Sequence, residues 1–189
     1  MTEEESWYHQ QRQRLQGRWQ TAEGRILLEK IVSALQSKQP WAHFVETFPE
    51  VEDVYDRRDL RGVPLAGAVL AGADLQGTKL SFADLSGANL AGANLSGAEL
   101  DNADLSHANL RGADLTGNFI MGRINLAGAD LTGAEMAYAT LASADLTGAN
   151  FSHSHLDHAI FLGVKKEGAV FDGAELHKTE FRDYAPQSK

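Results

Sequence analysis

The chain has 189 residues, 43% of them hydrophobic, a formal net charge of −9 and no cysteine. That length and composition suffice for one compact core or for a solenoid with an appendage, while the missing cysteines exclude a disulfide framework and a thiolate metal site. The negative charge sets the chain against direct contact with nucleic acid or an anionic membrane surface, since both would repel it.

The chain opens on Glu3, Glu4 and Glu5 instead of a basic leader, and no run reaches the ~18 apolar residues of a membrane span, so a cytoplasmic protein is expected. Residues 3–20 are rich in glutamine and arginine, with Trp7, Leu15 and Trp19 at multiples of four. That spacing fits either a loosely packed helix or an arm that reaches a partner. Thr21 is placed to cap a helix running to about Ser37, with Ile26, Leu27, Ile31 and Leu35 on one face and Pro40 as the stop. A second short helix is expected to hold Trp41, Phe44, Val45 and Phe48. Residues 1–56 therefore read as a helical segment whose bulky apolar residues cap whatever follows.

From Asp59 the sequence repeats every five residues, most plainly in AGADL, SFADL, SGANL, AGANL and SGAEL. The apolar centres run from Leu60 every fifth residue to Ile120, then from Leu126 to Phe181, and only Lys166 breaks the apolar rule. A five-residue period spreads successive leucines around every side of an α-helix, and it swaps faces along a flat strand. The chain must instead turn once per repeat, and glycine two places after most centres supplies the backbone freedom for the corner. Alanine and leucine then point inward from every side.

The motif A-[D/N]-L-x-G resembles the pentapeptide-repeat family. The resemblance implies a mainly β fold, a right-handed quadrilateral parallel β-helix in which four repeats make one coil, over residues 57–184 with a tail at 185–189. The repeats would fill about six coils, a rod of roughly 30 Å at the ~4.8 Å spacing of paired strands. Two departures stand out. One extra residue lies between Ile120 and Leu126, which predicts a bulged corner, and Lys166 predicts a loosened coil near the C-terminal end.

In such a stack, residues 20 apart (21 across the insertion) become neighbours, so the outer faces are readable from the sequence. Beside the centres Ile120, Leu141 and Phe161, the outward positions include Phe119, Met121, Ile160 and Leu162, where most repeats carry polar residues. A contiguous apolar strip of this kind implies a docking surface for a protein partner, a second copy in a homodimer, or the chain's own termini. Two further faces stack acids: Asp74, Asp114, Glu135 and Glu175 on one, Asp84, Asp104 and Asp145 on the other. The gyrase-directed members of the resembled family act as mimics of duplex DNA, and these ladders are the residues that would stand in for phosphates. Asp or Asn before the centre also belongs to the repeat pattern itself, where it supports the turns.

The run HSHLDH suggests a metal motif. However, His153 and His158 fall at corners while His155 points out from a flat side, between Glu135 and Glu175, with His177 over Asp157. The three do not converge; the stacked groups either pair charges or build an adventitious zinc site, a metal-responsive module being the third reading, and no cofactor is expected. No phosphate loop, nucleophile elbow or cysteine is present, and a filled rod offers no concave pocket, so the chain does not read as an enzyme. The sequence points to a non-catalytic scaffold or protein-interaction module, with DNA mimicry acting on gyrase or a topoisomerase as the alternative.

Overall fold

The computed structural model describes residues 3–47, 58–120 and 122–183. Each repeat uses its backbone in the same way. The amide of Leu60 donates to the Lys79 carbonyl on the following coil at 2.9 Å, and the amide of Val63 closes a turn onto the Leu60 carbonyl at 3.0 Å. The third turn residue must take a positive φ, as in a type II turn, and Gly62 does so at 69°. The bridges run from Asp59 with Lys79 to His155 with Glu175, joining residues 20 apart, or 21 across the insertion, and all are parallel. On one face they widen into a parallel sheet in the order β1 (Phe119–Ile120), β2 (Thr140–Ala142), β3 (Ile160–Leu162), β4 (Glu180–Arg182).

The inward ladder is the core. Every leucine centre from Leu60 to Leu146 is buried, as are Phe151, Leu156 and Phe161. At about 1.5–3 kcal/mol for each such side chain before entropy is subtracted, this column dominates stability. The extra residue changes the spacing of paired residues from 20 to 21 between Asp104 and Asn125, and 20 returns at Asn125 with Asp145. At that corner the Gly122 amide donates to Asp101 Oδ1 at 2.6 Å, and Ile124 fills an inward position that is usually alanine.

The expected loosening at Lys166 does not occur in the backbone. The Leu146 amide still donates to the Lys165 carbonyl at 2.7 Å, and the Ala169 amide to Lys166 at 3.0 Å. The side chain instead leaves the core and lies across the open end, with Nζ 4.5 Å from the centre of the Phe181 ring.

Two inward positions break the alanine rule at a cost. Thr78 and Asn118 are buried, and neither the Thr78 hydroxyl nor either end of the Asn118 amide has a hydrogen-bond partner. Burying an amide unsatisfied costs about 1–3 kcal/mol. Asn118→Ala is therefore expected to raise stability by about 1 kcal/mol after the lost packing is subtracted. Urea unfolding of the two proteins checks this, and a less stable variant would show that the amide is satisfied in solution.

At the amino-terminal side, α1 (Glu3–Gly17) and α2 (Ala22–Gln36) are joined by a 3-10 turn at Arg18–Gln20, and a second 3-10 segment spans Ala42–Thr47. Thr21 caps α2 as expected, its hydroxyl accepting from the Gly24 amide at 2.9 Å. The buried face of α2 is Gly24, Leu27, Ile31, Ala34 and Leu35, whereas Ile26 is 56% exposed. The 3.6-residue period decides this, because Ile26 lies about 100° away from Leu27. The aromatic spacing also fails as one face, since α1 ends at Gly17, Trp19 is buried in the 3-10 turn and Trp7 is exposed.

Trp19, Ile31, Leu35, Trp41 and Val45 join one buried cluster with Leu60, Leu65 and Leu70. The indole of Trp19 donates to the Arg61 carbonyl at 2.9 Å and that of Trp41 to the Asp74 carbonyl at 3.0 Å. Phe48 lies outside the described residues.

Candidate functional site

Of the predicted strip, Phe119 lies in β1 and Ile160 and Leu162 lie in β3. Register places Phe119 beside Thr140, Thr140 beside Ile160 and Ile160 beside Glu180 in one outward column. Phe119 is 68% exposed and Ile160 half-buried. In the column on the other side of the centres, Ala142 pairs with Leu162 and Leu162 with Arg182. Leu162 is half-buried and Ala142, a single methyl beside it, is fully covered. Met121 lies outside the described residues. The strip is bounded along the rod by Glu99 on one side and by Glu180 and Arg182 on the other, all exposed.

The N-terminal helix does not cover this strip. It runs along a neighbouring corner, where the Leu15 backbone comes so close to Gly62 that a Cβ there would lie 2.5 Å from the Leu15 carbonyl carbon. Farther along, Tyr8 packs against Phe82 with ring centres 6.3 Å apart. Between helix and corner lies a cleft of about 390 Å³ lined by residues that include His9, Arg12, Asn102 and Arg123. Sequence reasoning missed this placement because α1 has no apolar stripe to reveal which side it buries.

The acidic ladders form as columns, but they are interrupted. One reads Asp74, Asn94, Asp114, Glu135, His155, Glu175; the other reads Asp84, Asp104, Asn125, Asp145, Lys165. Along these two columns no more than two acids follow one another. The carboxylates are also engaged by the turns, because Oδ1 accepts the amide two residues on: Ser86 for Asp84, Ser106 for Asp104, Thr116 for Asp114 and Thr147 for Asp145. Asparagines at the same position do the same, with Asn89 accepting from Ala91 and Asn94 from Ser96. At Asp145 the hydrogen bonds from Thr147, helped by the nearby Lys165 charge, hold the carboxyl below its ordinary range. The side-chain type follows from turn chemistry, which an Asx oxygen satisfies whether or not it carries charge.

The histidines behave as expected with one exception. His153 and His158 occupy corners at φ 58° and 60°. His155 lies between two carboxylates, with Nδ1 2.9 Å from Glu175 and Nε2 3.7 Å from Glu135. The hydrogen bond to Glu175 and the charges of Glu135, Glu175 and Asp157 push its pKa up despite some desolvation. His177 does not place its ring on Asp157. Its backbone amide donates there at 3.1 Å, and its ring meets that of His158 edge-on at 5.9 Å. Among the described residues no three ligating side chains come together to hold a metal.

The most strongly shifted group is one that sequence reasoning passed over as a routine repeat position. Asp59 is fully buried and bound by Arg18 at 2.8 Å and by Arg61 at 2.7 Å. Burial alone would push its carboxyl up; hydrogen bonds from Arg61 and Arg18 and the Arg18 charge outweigh that and hold it far below the usual carboxylate range. The arrangement fastens the N-terminal segment to the start of the repeats.

Among the described residues, no helix is long and apolar enough to cross a membrane. A family model described as pentapeptide repeats matches residues 59–87, 79–117 and 124–163 in 8 copies. Solved structures are also similar to the chain. One is HetL from the cyanobacterium Nostoc sp. strain PCC 7120, a protein involved in regulating heterocyst differentiation, with 32% identity over 64% of this chain and 67% of that one, TM-score 0.30. A second is a pentapeptide repeat protein of the Arabidopsis thaliana thylakoid lumen, with 34% identity over 56% and 66%, TM-score 0.32. A third is the plasmid-mediated fluoroquinolone resistance protein QnrB1, with 17% identity over 65% and 84%, TM-score 0.36. The chain thus spans about two thirds of the length of the first two. The curated proteins contain no match to it.

Proposed function

This chain belongs to the pentapeptide-repeat family, and from that premise we propose that it is a non-catalytic protein-interaction module whose contact surface is the Phe119, Met121, Ile160 and Leu162 strip. We take residues 57–184 as a right-handed, four-sided β-helix of about six coils at ~4.8 Å each, behind a capping segment at 1–56 and ahead of a tail at 185–189. The 20-residue register with one turn every five residues supports four sides.

The observation that carries the functional reading is the exposure of Phe119, 68%, in register with Thr140 and the apolar Ile160. An aromatic ring held in water on a rigid sheet, with an apolar side chain two strands on and a charged rim, has the make-up of an interface anchor. Catalysis has no comparable support. The interior is filled with side chains, and the strongest perturbation of an ionisable group belongs to the Asp59 clamp. DNA mimicry of a topoisomerase substrate draws on the same acids that the turns already require, in ladders broken by Asn94, Asn125 and His155.

Pull-down from a native extract with the immobilised protein tests the choice. Phe119→Ser/Ile160→Ser is expected to keep its fold and lose the captured partner, with affinity for that partner falling at least tenfold, about what removing one interface anchor does. Asp84→Asn/Asp104→Asn/Asp145→Asn should capture it unchanged. The opposite pattern, together with inhibition of gyrase supercoiling by the wild type alone, would overturn the strip in favour of mimicry.

A further inference from the structure

The cleft between α1 and the neighbouring corner gathers side chains that the apolar strip does not use. Arg12 lines it from the helix, and Arg123 and Asn102 line it from the repeats. Glu5 and Asp104 share the cleft. Asp104 is already engaged, its Oδ1 accepting from the Ser106 amide and from the Asn125 side chain, each at 3.0 Å. Among the described residues, no ion pair or hydrogen bond engages the guanidinium of Arg12 or of Arg123, or the side-chain amide of Asn102. In a chain of net charge −9, where acids outnumber bases, two unmatched arginines on opposite walls of one cleft are cations left for an outside anion.

The corner itself is built against local preference. Gly62 makes the turn at φ 69°, but on the next two coils Phe82 and Asn102 hold φ 61° and 59°. A bulky side chain in the left-handed region is strained, and glycine would make the same turn without that cost. Strain of this kind persists where the side chain has a use. Phe82 and Tyr8, both half-buried, pack ring against ring with centres 6.3 Å apart, and both line the cleft. One step along, Gly122 leaves the room that Asn102 needs, since a Cβ there would lie 2.9 Å from Asn102 Nδ2.

We propose that this cleft binds a small phosphate monoester carrying a flat ring, as in an aryl or nucleoside monophosphate. Its volume of about 390 Å³ suits a small organic molecule. Guanidinium groups bind phosphate through paired, charge-assisted hydrogen bonds, and the three terminal oxygens of a monoester can serve two arginines at once, where a carboxylate offers only two. Tyr8 and Phe82 supply aromatic surface for the ring, and the Asn102 amide supplies a donor and an acceptor for polar atoms beside it. The proposal holds whether or not the Phe119 strip binds a partner.

Isothermal titration calorimetry of the full chain with phenyl phosphate tests it. The wild type is expected to take up one equivalent saturably, at least tenfold more tightly than it binds inorganic phosphate, which lacks the ring, or benzoate, which lacks the phosphate. Arg12→Gln and Arg123→Gln, both at exposed positions, should each weaken phenyl phosphate at least tenfold. Phe82→Gly, which restores the residue that the turn prefers, should bind phenyl phosphate no more tightly than inorganic phosphate. Circular dichroism should show all three variants folded as the wild type is. No saturable uptake of phenyl phosphate by the wild type overturns the proposal, and so does uptake that both arginine variants keep. Equal wild-type affinity for inorganic phosphate would leave an adventitious anion site only and overturn the ring seat.

Discussion

Leu95→Asp is expected to abolish cooperative folding of the rod. Leu95 is fully buried in the middle of the column, with its amide bonded to the Asp114 carbonyl at 2.7 Å and its carbonyl closing the turn at Ala98. Replacing it removes about 1.5–3 kcal/mol of burial and places a carboxylate among side chains that offer it no partner, at several kcal/mol more. Against a total stability of about 5–15 kcal/mol, the sum leaves little. A solenoid also transmits the loss, because each coil is stabilised by the coils beside it. Far-ultraviolet circular dichroism with a urea titration should show a lost or much earlier transition. A variant within about 1 kcal/mol of the wild type would mean that the column is less interdependent than its burial implies.

The second large effect is at the amino-terminal junction. Arg18 donates to both Asp59 oxygens, at 3.0 and 2.8 Å, and to the Arg61 carbonyl at 2.8 Å. Arg18→Met removes the larger part of that clamp and leaves Asp59 buried with Arg61 alone, a loss of about 3 kcal/mol. The pH dependence has a definite sign. Asp59 has a folded pKa below its unfolded value of about 3.9, so its contribution is fully present above about pH 4 and falls away as the pH drops below that. Urea unfolding at pH 7 and pH 3 should show the wild type losing stability on the acid side, and Asp59→Asn, already weaker at pH 7, losing less between the two. Equal acid losses in the two proteins would remove Asp59 from the account.

The repeat made the parallel stacking legible because a five-residue period fits neither a helix nor a flat strand and forces one turn per repeat, and the glycines at Gly62, Gly92 and Gly148 mark those turns at positive φ. Phe82, Tyr138 and His158 take the same conformation without being glycine. There the hydrogen-bonded neighbours impose a shape that local propensity opposes. That Phe119, Thr140 and Ile160 share a column was legible for the same reason, since register alone decides it. The N-terminal junction was not. Asp59 sits where the repeat puts an Asp anyway, so nothing local distinguishes an acid that binds two arginines from one that merely closes a turn. Ile26 was misplaced because it adjoins the buried face of α2 in sequence while pointing away from it in space.

The burial of Trp19 and Trp41 with Leu60 and Leu65 also sets an order of events during synthesis. Chains emerge from the ribosome amino end first, and domains fold in that direction. The two tryptophans and α2 are therefore available before any repeat and offer the first turns a finished surface to close against. Every later coil then closes a loop of only about twenty residues onto structure already in place, the low-cost end of loop closure. The rod grows as a zipper with a fixed starting point, and throughout that growth only one edge is ever exposed.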